Sequence, residues 1–452
     1  MKTRLILLVA FALITGNIIS AEAQSAGGQS LTLDEAIELA LRNNRAAKNA
    51  RLETDRSADK LAALKTRRLP AFKVSGLINQ PLTTFDTVFE QGVFGTYPGI
   101  GPIPSETTVM TSSNNTTGLV VAQISQPLTQ LKRIGLQIKQ QELAREISDA
   151  EREATEQTIV NEVKRAYYAI LQTQGALSAA EEAVKLYKEL DRVTGEYVVQ
   201  QIALKTEQMD VQTKTAQAEY EVLSLYNVLS TQKEQLNNLL GRDARIDFII
   251  ADGFETAQVI MRETNLGEAR QRALQQRPEI REARFRFKQA ELDKRAKKSE
   301  YIPDVSLTFN YATTFNYSNF VPRSVTGFGV QIEWDVFDWG RRKHEVAEKA
   351  RVVSEADNNL IETQNQVVME VNAKFRQLQE TSQLIRIAKL AQTAARADVQ
   401  LVSYKYKLEA VLLKDVLQAQ TSLADANANY QKALLSFWTA KADFEKALGE
   451  NR

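Results

Sequence analysis

Phe328-Gly329-Val330-Gln331-Ile332-Glu333-Trp334-Asp335-Val336 is the stretch that decides the fold. In an extended chain Phe328, Val330, Ile332, Trp334 and Val336 share one face, and Gln331, Glu333 and Asp335 share the other. A strand of about ten residues crosses a bilayer when tilted, so this alternation suits a barrel wall with lipid outside and water inside. A half-buried strand of a soluble sheet carries the same pattern. Upstream, Val305, Leu307, Phe309 and Tyr311 alternate with small polar residues in the same way. The two stretches predict strands over about 304–315 and 325–337, joined by a short loop near Asn316 to Ser324.

A weaker pair lies earlier, at about 71–82 and 117–128. Phe72, Val74 and Ile78 alternate there with Lys73, Ser75 and Asn79. The two pairs belong to two copies of one unit. Leu33, Glu35, Ala36, Ala40, Arg51 and Pro70 reappear 233 residues later as Leu266, Glu268, Ala269, Ala273, Arg284 and Pro303. Ile124, Arg133, Val163, Gln212, Leu240 and Gly241 reappear 208 residues later as Ile332, Arg341, Val371, Gln420, Leu448 and Gly449. The first copy is therefore 25 residues longer between Pro70 and Ile124. The excess falls in a Gly/Pro-rich loop from about Pro81 to Asn115, which is expected outside the cell. Two copies of one unit imply pseudo-symmetry, with function in what both build together.

Helical patterns fill the rest. Thr32-Leu33-Asp34-Glu35 is a capping box, and Asn265-Leu266-Gly267-Glu268 is its counterpart. Each opens a short helix, followed by a longer one that stops before Pro70 or Pro303. After each strand pair come two long helices, from about 130 to 200 and 206 to 240, then from 341 to 405 and on to 448. Val367, Val371, Phe375, Leu378 and Ile385 mark a coiled-coil-like seam in the third of these. Some 65 residues at 1.5 Å each make a rod of roughly 100 Å. The resulting division is 1–23 a leader, 24–241 the first copy, 242–264 a connector with Ile246, Phe248 and Ile249 as a short strand, and 265–452 the second copy.

The leader reading rests on Lys2 and Arg4, the apolar run Leu5 to Ile14, and Ala21-Glu22-Ala23, which together read as a cleaved export signal. Losing it takes the net charge from +1 to zero. Nothing in this balance points to nucleic acid. The chain has 0 cysteines, which excludes disulfides, thiolate metal sites and a lipid-accepting cysteine after the signal. Beyond the leader no apolar run approaches 18 residues, so membrane insertion falls to the strands. Four strands cannot close a barrel, and an open sheet edge is not tolerated in lipid. Three chains would pool twelve.

Trp334-Asp335-Val336-Phe337-Asp338-Trp339-Gly340-Arg341-Arg342 resembles the strand-to-helix signature of the TolC-like outer-membrane efflux ducts. The capped helix, the helix ending in Pro70 or Pro303, Lys414 to Gln420 and the closing Ala447-Leu448-Gly449 fit the same family. The resemblance implies a membrane α+β fold: a homotrimeric twelve-stranded outer-membrane β-barrel, continuous with a long α-helical coiled-coil tunnel in the periplasm. It also implies outer-membrane lipid as surroundings, a periplasmic adaptor (membrane fusion protein), an inner-membrane transporter of RND or ABC type, and passive passage of cargo, with no cofactor. There are departures. The first copy has Gln126-Pro127-Leu128-Thr129-Gln130-Leu131-Lys132-Arg133 in place of the signature, and Gln201 and Glu409 replace the family's tip glycines.

Asp415 resembles the family's gate aspartate, Gln418 takes the place of a second one, and Tyr406 resembles a tyrosine that latches the closed tunnel. Glu207 is the repeat equivalent of Asp415, and Asp210 follows it on the same helical face. Three copies of these acids would ring the periplasmic entrance; as first-turn acids they also simply offset a helix dipole. The tips Gln201, Ile202, Ala203, Leu204 and Glu409, Ala410, Val411, Leu412 suit adaptor docking, or packing against the neighbouring hairpin. Trp334, Phe337 and Trp339 suit an interfacial aromatic girdle, or an ordinary core. Glu333 and Asp335 read as lumen acids; a paired-carboxylate hydrolase would use the same residue types. The one histidine, His344, reads as a solvated helix residue, and no catalytic triad, phosphate loop or metal spacing is present. The expectation is an outer-membrane exit duct for efflux or type I secretion, not an enzyme. Its rival is a periplasmic coiled-coil scaffold or adaptor without a pore.

Overall fold

A computed structural model describes residues 29–84, 86–111, 115–251, 265–316 and 322–450. The leader, Asn114 and residues 252–264 of the 242–264 connector lie outside the described residues. The chain opens with β1 (Gln29–Leu31), α1 (Leu33–Asn43) and α2 (Arg45–Lys65). Then come β2 (Ala71–Asn79), β3 (Asp86–Phe89), β4 (Thr96–Tyr97), β5 (Gly101–Pro102), β6 (Thr108–Thr111) and β7 (Thr117–Pro127). The long helices α3 (Gln130–Val199) and α4 (Lys205–Leu239) follow, and β8 (Phe248–Ile250). The order then repeats as α5 (Leu266–Gln276), α6 (Pro278–Lys298), β9 (Asp304–Phe315), β10 (Ser324–Glu333), α7 (Arg341–Lys407) and α8 (Leu413–Leu448).

The four long strands form one antiparallel sheet in the order β10-β9-β7-β2. Its register aligns the apolar positions of all four strands. Phe72 stands beside Ile124, Ile124 beside Phe309, and Phe309 beside Phe328. Val74, Ala122 and Tyr311 form the next row in the same way. Since alternate residues face opposite sides, the other face collects Lys73, Ser75, Gln123, Ser125, Asn310, Ser306, Gln331 and Glu333. The apolar face is bare: Phe72, Phe328 and Ile332 are 75%, 71% and 67% exposed. No helix among the described residues is long and apolar enough to cross a membrane.

Several boundaries differ from the sequence reading. β10 ends at Glu333, not 337, because Glu333 pairs with Asp304 and the next residue on that strand is Pro303, which has no N–H to offer. Trp334, Asp335, Phe337 and Trp339 therefore lie in the turn before α7, off the strand. β2 stops at Asn79, just before Gln80-Pro81. The loop beyond it is not featureless: β3 pairs with β6 and β4 with β5 as two short ladders. α2 and α6 end four residues short of their prolines, each closed by a 3₁₀ turn, Thr66–Arg68 and Ser299–Tyr301. The Thr32 capping box forms in both directions, but Asn265 caps one way, accepting from Gly267 N. β8 was expected; its parallel partner β1, over 200 residues away, was not.

Two equivalent cores hold the helices. In one, Tyr167, Ile170, Leu236, Leu240 and Phe248 are buried together; in the other, Val367, Val371, Leu378, Phe437 and Phe444. Phe375 and Ile385 pack against the second, as the seam predicted. The copies meet across α3 and α8, where Lys164 Nζ lies 2.6 Å from Glu445 and Asn161 donates to Asp443 at 3.1 Å. Asp443 also binds Lys374 at 2.8 Å. Burial works against its ionisation, but the bonds from Lys374 and Asn161 hold its carboxyl below the usual range.

Each long-helix hairpin ends against the bend between the two short helices. Asn44 Nδ2 donates to Leu239 O at 2.9 Å, and its equivalent Arg277 Nη1 donates to Lys446 O at 3.1 Å. Gly241 and Gly449 follow with φ of 67° and 83°. A Cβ at 241 would run into the carbonyl of Asn43, while one at 449 would stand 3.1 Å from the carbonyl carbon of Gln276. A side chain at either position is strained twice, by the left-handed backbone and by the neighbouring bend. Gly241→Ala is expected to cost about 2–4 kcal/mol and Gly449→Ala about 1–2 kcal/mol in chemical denaturation. Equal midpoints for both variants and the parent would contradict this packing.

Candidate functional site

The tips of the two long hairpins lie together. Leu190, Val193, Val211, Tyr406, Leu413 and Val416 form a small buried cluster, with Tyr197 and Val411 packed on it. Tyr406 is its centre. Its hydroxyl sits 3.4 Å from Thr194 Oγ1, and its ring lies 5.7 Å from that of Tyr197. Tyr197 in turn donates to Lys407 O at 3.3 Å. These bonds tie α3 to α7 within one chain. Burial pushes the Tyr406 hydroxyl above its ordinary value; Glu207 nearby adds to the rise, and the Thr194 bond opposes it.

The two turns are made the same way. Val199 and Lys407 end their helices, and the next helices begin at Lys205 and Leu413. Gln201 and Glu409 adopt φ of 60° and 56°. These are the two positions at which the family resemblance led us to expect glycine, so the left-handed geometry is kept although the side chain is not favoured there. Glu207 and Asp415 occupy equivalent places at the start of α4 and α8. Glu207 accepts from Leu204 N at 3.1 Å, and Asp415 accepts from Leu412 N at 3.0 Å. Each carboxylate closes the first turn of its helix, so the dipole-offsetting reading holds for both. Asp210, Gln418, Ile202, Leu204, Glu409, Ala410 and Leu412 are exposed; Gln201 is too, while Ala203 and Val411 are half-buried.

The turn before α7 is a second organised element. Asp338 accepts from Gly340 N at 3.0 Å and from Arg342 N at 3.2 Å. Those bonds hold its carboxyl below the usual range despite desolvation. Buried Arg342 donates to Asp335 O at 2.6 Å and lies over the Tyr301 ring. Asp335 also pairs with Arg341 at 3.4 Å, which makes it a turn residue and not a strand acid. Trp339, with φ of 54°, is 89% exposed, and its ring meets Phe337 at 4.8 Å. Within the single chain it is not part of a buried core. Glu333 does lie on the polar face of the sheet, opposite Asp304.

Sequence reasoning missed Thr194, Tyr197 and the ladder Glu189–Arg192–Glu196 just above the tip, where Arg192 bonds both acids. The three-and-four spacing of that ladder was there to be read. Among the described residues no group of three or more His, Asp or Glu could hold a metal ion.

This arrangement of a bare amphipathic sheet set on long paired helices matches known proteins. The model of the outer membrane efflux protein family matches residues 36–242 and again 269–450. The chain belongs to that family. That family places it in the outer membrane. The outer membrane protein TolC of Escherichia coli (strain K12) is 23% identical over 331 residues, 68% of this chain. The match spans 65% of TolC, just under two thirds of its length. Among solved structures, the open-state MtrE outer membrane channel of Neisseria gonorrhoeae superposes with a TM-score of 0.74 at 18% identity, covering 93% of this chain and 89% of that one. VceC of Vibrio cholerae superposes at 0.71 and 16% identity, covering 92% and 96%. At these identities the likeness shows the fold.

Replacing Gln201 or Glu409 by glycine removes the left-handed penalty but loosens the unfolded chain, so a net gain of up to about 1 kcal/mol is expected. Valine at either position should lose about 1–2 kcal/mol. Urea midpoints of the purified protein decide it; valine variants as stable as glycine variants would refute the tip geometry.

Proposed function

We propose that three copies of this chain close a twelve-stranded barrel and form a passive exit duct. The observation that carries this is the four-stranded sheet with a continuous bare apolar face and two unpaired edges, β2 and β10. Because every pairing in the sheet is antiparallel, β10 and β2 run in opposite directions. Edge-to-edge joining of copies therefore continues the alternation round a closed ring. The helices favour the same assembly. Ile387, Leu390 and Tyr404 on α7 are 61%, 73% and 63% exposed, and Tyr220 and Leu223 on α4 are 73% and 59% exposed. Apolar stripes of that extent call for a neighbouring copy.

In this reading the apolar sheet face meets outer-membrane lipid, the polar face lines the lumen, and the tips lie deepest in the periplasm. Ile202, Leu204, Val411 and Leu412 offer apolar contact to a periplasmic adaptor, which couples the duct to an inner-membrane transporter of RND or ABC type. Energy comes from that pump; this chain carries out no chemistry. Glu207, Asp210 and Asp415, threefold, put fixed negative charge at the entrance, with Gln418 beside Asp415. Tyr406 holds the two hairpins of each chain together above them. A pore-less periplasmic scaffold leaves the bare sheet face and its edges without a role.

The test is fractionation and bilayer recording. The mature protein should sediment with the outer membrane as a heat-resistant trimer and conduct ions in a planar bilayer. A detergent-independent monomer would eliminate the duct. Within a conducting trimer, Asp415→Ala combined with Glu207→Ala should raise conductance severalfold and reduce cation preference; single-channel behaviour identical to the parent would reject the entrance ring.

A further inference from the structure

The four long strands hold three charged side chains, and all three lie on the polar face: Lys73, Asp304 and Glu333. Two of them sit together at the end nearest the helices. Asp304 binds Arg133 at 2.8 Å, and Glu333 stands opposite Asp304 in register. An open trough of about 810 Å³ there is lined by Arg67, Arg133, Asp304, Gln331 and Glu333, so cations and acids balance. Lys73 is different. Its row runs Lys73, Gln123, Asn310, Gly327, with no acid in it. Lys73 is exposed, and its side chain makes no ion pair among the described residues. Gly327 lies six residues before Glu333 on β10, so the Lys73 row meets that strand about 20 Å from Glu333, while Lys73 itself stands at the rim of the trough, two residues past Ala71 on β2.

We infer that Lys73 sets the charge preference of the barrel lumen, drawing in the anionic groups of cargo: carboxylates, phosphates or sulfonates. The inference rests on the duct reading, which puts this face on the lumen and places three copies of Lys73 around it. The acids of the tips lie at the far end of helices about 100 Å long, so they do not neutralise this ring. Inside a wide barrel each ammonium acts only across about one Debye length, roughly 10 Å at 0.1 M salt and 30 Å at 0.01 M. Lys73 thus discriminates in dilute salt and loses its influence in concentrated salt. The competing role is local: a lysine on an edge strand deters wrong edge pairing. That role governs assembly and leaves permeation untouched.

Reversal potentials in a KCl gradient separate the two. At about 10 mM salt, Lys73→Glu should raise the cation-to-anion permeability ratio about twofold or more, and Lys73→Gln by less. Gln123→Lys, which adds a second ammonium to the same row, should move the ratio the other way and keeps the test valid if Lys73 variants assemble poorly. All differences should vanish near 1 M salt. Parent-like reversal potentials in Lys73→Glu or Gln123→Lys at low salt would overturn the inference, as would a Lys73 effect confined to trimer yield. A parent protein that forms no conducting trimer would instead remove the duct reading beneath it.

Discussion

An unpaired peptide group in hydrocarbon costs several kcal/mol, and the rest of this molecule is arranged around that cost. β2 and β10 leave nine and ten residues of backbone at open edges. In water such edges are tolerable; beside lipid they are not. In the proposed barrel the apolar face meets lipid, and the register that aligns Phe72, Ile124, Phe309 and Phe328 leaves no freedom to slip, because a one-residue shift would put Ser75, Gln123 and Asn310 in their place. A chain that turns this face to lipid in that proposed barrel needs partners for both edges.

The helices answer a different constraint. No helix among the described residues is long and apolar enough to cross a membrane, and a 70-residue helix needs continuous side support. Each copy gives it through a hairpin partner and a two-helix brace bent at Asn44 or Arg277. The brace clasps the hairpin end at Gly241 or Gly449, and the two copies are then joined by Lys164–Glu445 and the Asp443 cluster. The same device used twice gives a pseudo-symmetric rod.

Much of this could be read from the chain because the signals were periodic. The alternation at Val305 to Tyr311 and Phe328 to Glu333, the seam at Val367 to Leu378 and the prolines at 70 and 303 all act within a few residues of themselves. What could not be read was set by distant partners. β1 pairs with β8 across more than two hundred residues, and three residues of QSL hold no pattern that says so. The end of β10 is fixed by Pro303 on another strand, so the alternation ran on to Val336 after the ladder had stopped. Asp335 looked like a strand acid for the same reason and turned out to brace a turn. At the tips, turn position was legible from the repeat, but the Tyr406–Thr194 approach joins helices 212 residues apart.

The cap bonds at Glu207 and Asp415 bear on both readings of those acids. A carboxylate bonded to a backbone N–H is held in one place. Capping takes one oxygen, Oε2 of Glu207 and Oδ2 of Asp415. Offsetting the helix dipole is thus compatible with the entrance ring proposed above. A residue that must present charge at a fixed radius is well served by the first turn of a helix, since rigidity is what a ring of charges lacks when its side chains are free. The local bond therefore does not compete with a gating role. It is the means by which a short side chain on a turn whose backbone is itself held left-handed at Gln201 or Glu409 could keep its position while the hairpins move.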